Sequence, residues 1–143
     1  GYAVAADKEQ LFTESDFLSL HLRLLPETRG AITLADLSMM KPTAVLINTA
    51  HAELLPTDVL VTALNRGRPG MAAIDVLETE PVLPGNTLLR LENCLCTPHI
   101  GHVELEAYEH DFNEAFDSIL AFAAGQPVNL INPQALCMVP SDS

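Results

Sequence analysis

Four short apolar runs in this sequence end at a residue able to do acid–base or hydrogen-bond chemistry. His21 closes Phe17-Leu18-Ser19-Leu20, and Asn48-Thr49-Ala50-His51 follows Ala44-Val45-Leu46-Ile47. Asp75 follows Met71-Ala72-Ala73-Ile74, Thr97-Pro98-His99 follows Cys94-Leu95-Cys96, and Glu80-Pro81 stands shortly after Asp75. A carboxylate beside an imidazole orients the ring and favours its charged form, which lifts the ring pKa into a useful range for giving and taking a proton. His99 with Glu80 is a candidate pair of this kind. By type and spacing alone, the same residues serve equally well as loop caps or solvated surface groups.

Cys94 and Cys96 are two apart in one apparent strand and so share a face. A metal centre would need further ligands, and only His99 is near in sequence. Both cysteines are therefore read as structural thiols, and no metal is expected. Three cysteines, an odd number, fit a reducing compartment, hence the cytoplasm, better than a disulfide framework.

The elements that must position these groups follow from the apolar pattern. Residues 2–5, 17–21, 43–48, 71–75 and 94–97 are strand candidates, several of them apolar at successive positions, as expected for strands covered on both faces. Thr33 with Asp36 three residues on resembles a capping box, and Lys41-Pro42 closes that helix. Pro56 suits a first helical turn, with Val59, Leu60, Ala63 and Leu64 as the buried stripe and Gly67 as the left-handed stop. The longest helix is expected over residues 102–124, with Leu105, Tyr108, Phe112, Phe116, Ile119, Leu120 and Ala123 at three- and four-residue steps and an acidic face between them. Gly125 ends it. Strand–helix repeats of this length predict an α/β fold, a doubly wound three-layer α/β/α arrangement around a five-stranded parallel sheet. In open sheets of this kind, ligands bind beyond the carboxyl ends of the strands, where the polar groups above fall. Residues 1–128 read as the domain and 129–143 as a C-terminal tail.

Composition narrows the possibilities. With 143 residues, 48% of them hydrophobic and 18% charged, the chain is the size of one globular domain. A formal charge of −12 with only seven Lys and Arg speaks against nucleic acid and against acidic membrane surfaces. No apolar run approaches the about 20 residues of a membrane span, and no signal-peptide pattern is present. The first residue is Gly rather than Met, which raises the expectation of processing or truncation.

Four ordered stretches carry a resemblance. Ser15-Asp16-Phe17-Leu18-Ser19-Leu20-His21 with Leu25-Pro26-Glu27-Thr28, then Lys41-Pro42-Thr43-Ala44-Val45-Leu46-Ile47-Asn48-Thr49-Ala50, then Ala73-Ile74-Asp75-Val76-Leu77-Glu78-Thr79-Glu80-Pro81, then Thr97-Pro98-His99-Ile100-Gly101 are similar to motifs of the D-2-hydroxyacid dehydrogenases, over roughly residues 1–133. The resemblance implies part of an NAD-binding Rossmann domain from enzymes that move a hydride between NAD(H) and a 2-hydroxy or 2-keto acid. It implies that His99 is the acid–base and Glu80 its partner. Asp75 would hold the nicotinamide carboxamide, with Thr49, Ala50 and Gly101 nearby, and His21 and Thr28 would line the nicotinamide-ribose side.

Two departures count against full activity. Position 51 is His51 where the family places the arginine that clamps the substrate carboxylate; an imidazole, mostly neutral near pH 7, cannot grip a carboxylate through two parallel bonds. The glycines fall singly, so no G-x-G-x-x-G phosphate loop is present, and little NAD affinity is expected of this chain. The implied neighbours of the first strand candidate are also missing. Residues 2–5 are therefore expected either to move in beside the second strand, giving a flavodoxin-like sheet of order 2-1-3-4-5, or to be exchanged in a homodimer.

The leading expectation is a folded half-domain of such a dehydrogenase with little or no activity. The rivals are an active oxidoreductase completed by another chain and a small flavodoxin-like binding module. Asp7-Lys8-Glu9, rather than a hydroxyl-rich loop, follows the first strand candidate, which disfavours a flavin phosphate.

Overall fold

The apolar runs pair side by side in chain order. In the computed structural model, which describes residues 1–134, β1 (Phe17–Leu20), β2 (Val45–Asn48), β3 (Met71–Ile74) and β4 (Cys94–Cys96) form one parallel sheet of order β1-β2-β3-β4. The register sets Leu18 beside Leu46, Leu46 beside Ala72 and Ala72 beside Cys94, and in a second row Leu20, Asn48, Ile74 and Cys96. These alternate residues share one face because strand side chains repeat with period two.

That face is the covered one. The helices α1 (Lys8–Glu14), α2 (Leu34–Met39) and α3 (Thr57–Asn65) pack in sequence, α1 on α2 and α2 on α3. Right-handed crossovers between strands that advance in one direction place the connecting helices on the same side. Phe12, Leu37, Met40, Leu60, Ala63 and Leu64 from these helices, with Leu54 between β2 and α3, close over Leu18, Leu20, Leu46, Ala72 and Ile74 to make the core. The other face is open within residues 1–101: Phe17 is 74% exposed and Leu95 62%. The third layer of the expected sandwich is thus not supplied by these residues.

Local chemistry explains each helix. Thr33 and Asp36 form a reciprocal capping box at the start of α2, and Lys8 Nζ reaches Asp36 Oδ2 at 2.6 Å, tying α1 to that cap. Pro56 precedes the first turn of α3, Leu60, Ala63 and Leu64 are its buried stripe, and Gly67 turns the chain away at φ 71°. α1 has no counterpart in the sequence reading, although Asp7 caps it by accepting the Gln10 N–H.

The fifth strand is a correction. Residues 2–5 carry no strand; Tyr2 and Val4 are fully or nearly fully exposed, and the sheet has four strands among the described residues. The expected 2-1-3-4-5 order fails because β1 pairs directly with β2 along its whole length, Phe17 to Val45 through Leu20 to Asn48. A four-residue segment with two large apolar side chains buries too little surface to offset the backbone entropy of ordering it, about 1–2 kcal/mol per residue.

The chain divides into two compact units, residues 1–101 and the residues from 102 onward. The second holds α4 (Leu105–Ala123), the expected long helix, whose Tyr108, Phe112 and Phe116 rings follow one another at 5.6 and 6.2 Å and after which Gly125 adopts φ 73°. The C-terminal tail expected over residues 129–143 lies, from residue 135, outside the described residues. No described helix is long and apolar enough to cross a membrane.

Candidate functional site

Asp75 directly follows β3, whose last residue is Ile74, and is buried at 5% exposure. The Thr97 hydroxyl and the Ile100 N–H, at 2.9 Å, donate to Oδ1, and the Gly101 N–H donates to Oδ2 at 2.8 Å. One carboxylate therefore folds the whole segment after β4. Burial pushes the Asp75 carboxyl up, but these hydrogen bonds, with the charge of His99, outweigh it and hold the group below the usual carboxylate range. Gly101 approaches so closely that an added Cβ would lie 2.9 Å from Asp75 Oδ2, so any larger residue must displace the carboxylate.

Pinned on both sides in this way, His99 takes a left-handed backbone conformation, φ 56°, uncommon for a residue with a side chain. Its Nδ1 lies 2.7 Å from Glu80 Oε2, while Glu80 Oε1 accepts the Leu77 N–H at 2.9 Å. An ionised carboxylate can only accept, so Nδ1 carries the hydrogen of this bond. The hydrogen bond His99 donates to Glu80, and the charge of that carboxylate, raise the His99 pKa above that of an ordinary histidine. The Leu77 N–H, then His99, lower that of Glu80.

The end of β2 supplies the facing wall. Buried Asn48 donates from Nδ2 to the His51 carbonyl at 2.9 Å and accepts the Ala50 N–H on Oδ1 at 3.1 Å, which closes the Asn48–His51 turn. The turn sets Thr49 close to Gly101, its Cβ 4.0 Å from where a Gly101 Cβ would stand, and leaves the His51 side chain exposed. Two cavities flank the His99–Glu80 pair. One, of about 650 Å³, has apolar walls from Leu77, Val82, Leu89 and Pro98. The other, of about 220 Å³, is bordered by Ala50, His51, Glu53 and Glu78.

The sequence-predicted residues thus divide. His99, Glu80, Asp75 and Gly101 are joined by hydrogen bonds, Thr49 lies against them, and Ala50 and His51 border the same cavity. His21 and Thr28 are not brought into that group. They stand beyond the edge strand β1, where His21 Nε2 meets Ser19 Oγ at 2.9 Å. The Thr28 hydroxyl accepts the Leu25 N–H at 2.8 Å and donates to the Arg23 carbonyl at 2.6 Å, closing its own loop. Sequence reasoning gave no positioning role to Asn48 or Thr97; the available signal was a polar residue at the carboxyl end of a strand followed by a tight turn. Cys94 and Cys96, with sulfurs 3.7 Å apart, are half-buried against the core, and burial beside the second thiol pushes Cys94 up to about 12.

Comparisons with known proteins agree on one family. Residues 1–101 match the sequence profile of the D-isomer specific 2-hydroxyacid dehydrogenase NAD binding domain. The glyoxylate reductase of Thermococcus litoralis is 40% identical over 135 residues, 94% of this chain and 40% of that protein. The hydroxypyruvate reductase of Blautia hydrogenotrophica is 35% identical over 124 residues, 87% of this chain and 38% of that protein. Among solved structures, phosphoglycerate oxidoreductase from Vibrio cholerae superimposes with a TM-score of 0.79 at 46% identity, covering 87% of this chain and 40% of that one. An NAD-complexed D-isomer specific 2-hydroxyacid dehydrogenase from Lactobacillus delbrueckii ssp. bulgaricus gives 0.75 at 28% identity, covering 87% and 42%. The chain therefore spans about 40% of the length of the relatives it matches.

Proposed function

Because the chain belongs to the D-isomer specific 2-hydroxyacid dehydrogenase family, we propose that it carries the acid–base half of a site that interconverts a 2-hydroxy and a 2-keto compound with NAD(H). The observation that carries this reading is the 2.7 Å contact between His99 Nδ1 and Glu80 Oε2.

His99 is the catalytic residue: as the imidazolium it gives the Nε2 proton to the keto oxygen during reduction, and as the neutral ring it takes the hydroxyl proton back. Glu80 orients the ring and stabilises its charged form. Asp75 is first a positioning residue, because its three donors fix the segment that presents His99. The nicotinamide supplies the hydride when bound. Asp75 fits it in one respect: the carboxylate has about four lone-pair sites and accepts three hydrogen bonds, so one acceptor place remains for a carboxamide N–H. Thr49, Ala50 and Gly101 form the adjoining wall. His21 and Thr28 would line the ribose side, the Thr28 hydroxyl keeping one acceptor lone pair beyond the Leu25 N–H it accepts while its donor is spent on the Arg23 carbonyl.

The 143 residues on their own are proposed to turn over little, with NAD bound weakly or not at all. No glycine-rich phosphate loop is present in the sequence, and an imidazole replaces a guanidinium at position 51. The test is NADH oxidation with glyoxylate, read beside the NMR titration of the His99 ring. We expect no rate above that of His99→Asn, and a His99 pKa that falls in Glu80→Gln. A rate matching full-length reductases overturns the first part; a His99 titration unchanged by Glu80→Gln overturns the second.

A further inference from the structure

Cys94 and Cys96 take no part in the acid–base site, yet they stand on the segment that leads into it. Two apart along β4, they point to one face, with their sulfurs 3.7 Å apart and both side chains half-buried against the core. Cys96 also forms part of the wall of the cavity of about 650 Å³ beside His99, with Leu77, Val82 and Leu89, whereas Cys94 does not border it. A small molecule in the cavity therefore meets one sulfur of the pair first. Burial, then the charge and hydrogen bond of Cys96, push the Cys94 thiol up to about 12, so near neutral pH it stays protonated and is a poor first nucleophile. The two causes that come from Cys96 vanish once that sulfur is covalently bound.

Backbone geometry decides what closing the pair would do. Residues two apart in a strand have Cα atoms about 6.6 Å apart, at the upper end of the about 4.4–6.8 Å that a disulfide bridges. An S–S bond of about 2.05 Å also draws the Cβ atoms to about 3.5–4.5 Å, so β4 has to shorten. It has the freedom to do so, being three residues long and paired with β3 alone among the described residues. The strain falls on its ends, where the Ala72 N–H donates to the Asn93 carbonyl at 2.9 Å and the Thr97 N–H to the Ile74 carbonyl at 3.0 Å. Thr97 also donates its hydroxyl to Asp75, so a pull on Thr97 reaches the carboxylate that holds Ile100 and Gly101.

We propose that Cys94 and Cys96 are a reversible redox pair, which a low-molecular-weight disulfide oxidises to an intramolecular disulfide that shortens β4 and loosens the segment presenting His99. The Cys96 thiolate attacks the small disulfide from the cavity; a mixed disulfide forms, the small S–S bond breaks, and the released thiolate takes up the proton that Cys96 lost. Cys94 then displaces the second small thiol from Cys96 Sγ, and its proton leaves with that thiol. Two protein thiols are oxidised and one small disulfide is reduced to two thiols. Because the closed ring is strained, an excess of the small thiol reopens it. Neither step uses His99 or Glu80.

The test uses the 143-residue chain carrying Cys137→Ser, which removes the third cysteine. It is treated with oxidised glutathione near neutral pH and read by intact mass and by backbone amide resonances. The expected result is the loss of two hydrogens with no lasting glutathione adduct, reversed by excess reduced glutathione. The Ala72, Thr97, Ile100 and Gly101 amides should shift more than those of α3. Adding Cys94→Ser, which prevents closure, should stop the reaction at one glutathione adduct. Adding Cys96→Ser instead should slow adduct formation at least about tenfold relative to Cys94→Ser, because only the buried thiol remains. No reaction, or an adduct that persists while both cysteines are present, overturns the redox pair. Equal rates in the two serine variants overturn the order of attack, and a disulfide that leaves the Ile100 and Gly101 amides in place overturns the link to the His99 segment.

Discussion

At the scale of single residues, the geometry around Asp75 explains why so few side chains organise the site. Its carboxylate is buried and takes a hydroxyl and two backbone N–H groups from Thr97, Ile100 and Gly101. Asp75→Asn keeps the shape but puts an NH2 where at least one donor now points. An unsatisfied buried donor costs roughly 1–3 kcal/mol, more when a charge is lost from the network, so we expect a loss of about 2–4 kcal/mol in urea unfolding, with the His99 ring signals broadened as the segment loosens. Unfolding unchanged to within about 0.5 kcal/mol would show that the network adds little to stability. Gly101→Ala attacks the same point sterically, since its Cβ would stand 2.9 Å from Oδ2. It should displace the carboxylate and shift the Ile100 amide resonance, whose N–H donates to Asp75, while leaving those of α3 in place; an unshifted Ile100 amide would refute the close approach.

At the scale of elements, the capping box of α2 and the tight start of β3 give the clearest expectations. Asp36 serves two helices, as the reciprocal cap with Thr33 and as the anchor of Lys8. Removing such a cap costs typically ~1 kcal/mol, and here the partly exposed Lys8 contact goes with it, so Asp36→Ala should lose about 1–2 kcal/mol by chemical denaturation. A loss no greater than that of Ser38→Ala, on the exposed face of α2, would make the box ornamental. Gly70 is stricter: a Cβ there would lie 2.0 Å from the Pro42 backbone carbonyl oxygen, which cannot swing aside. Gly70→Ala must push β3 away from β2 and should abolish cooperative unfolding, or cost several kcal/mol in the manner of other overpacked sites.

These elements also mark what the sequence makes legible. Thr33 with Asp36, Pro56 and Gly67 act through their own backbone, so α2 and α3 are readable one residue at a time. β1 to β4 are readable as apolar runs bounded by polar ends. The placement of residues 2–5 is not, because a strand exists only by virtue of its neighbour, and Tyr2 and Val4 have the composition of a strand without one. The site divides in the same way. His99 with Glu80 is legible as a chemical pair, whereas the Asp75 network depends on a register between β3 and β4, Ile74 beside Cys96, that spacing alone does not disclose.

At the scale of the whole molecule, charge decides how stability should depend on pH. The chain carries a formal −12 near neutrality and a sequence pI of about 4.5, so self-repulsion is relieved as pH falls from 7 toward 5. His99 pulls in the same direction. Its folded-state pKa is raised, so its contribution is fully present below the unfolded value, about 6.5, and is lost as pH rises through the folded value. The carboxylates oppose this only further down. Asp36, Asp75 and Glu80 have lowered folded-state pKa values, so their contributions hold above the unfolded values, about 4, and disappear as pH falls through the folded ones. The two trends cross between about pH 4.5 and 6.5. Thermal unfolding followed by circular dichroism at constant ionic strength should therefore give its highest midpoint in that window, with a lower one at pH 8. Added salt should raise the pH 8 midpoint more than the pH 5.5 midpoint, because only the former carries strong net repulsion to screen. A maximum at pH 8 or above, or salt acting equally at both values, would mean that local ion pairs such as Lys8–Asp36 and Lys41–Asp16 govern stability rather than the net field. Exposed pairs are worth roughly 0–1 kcal/mol each, too little to offset the repulsion of twelve excess charges.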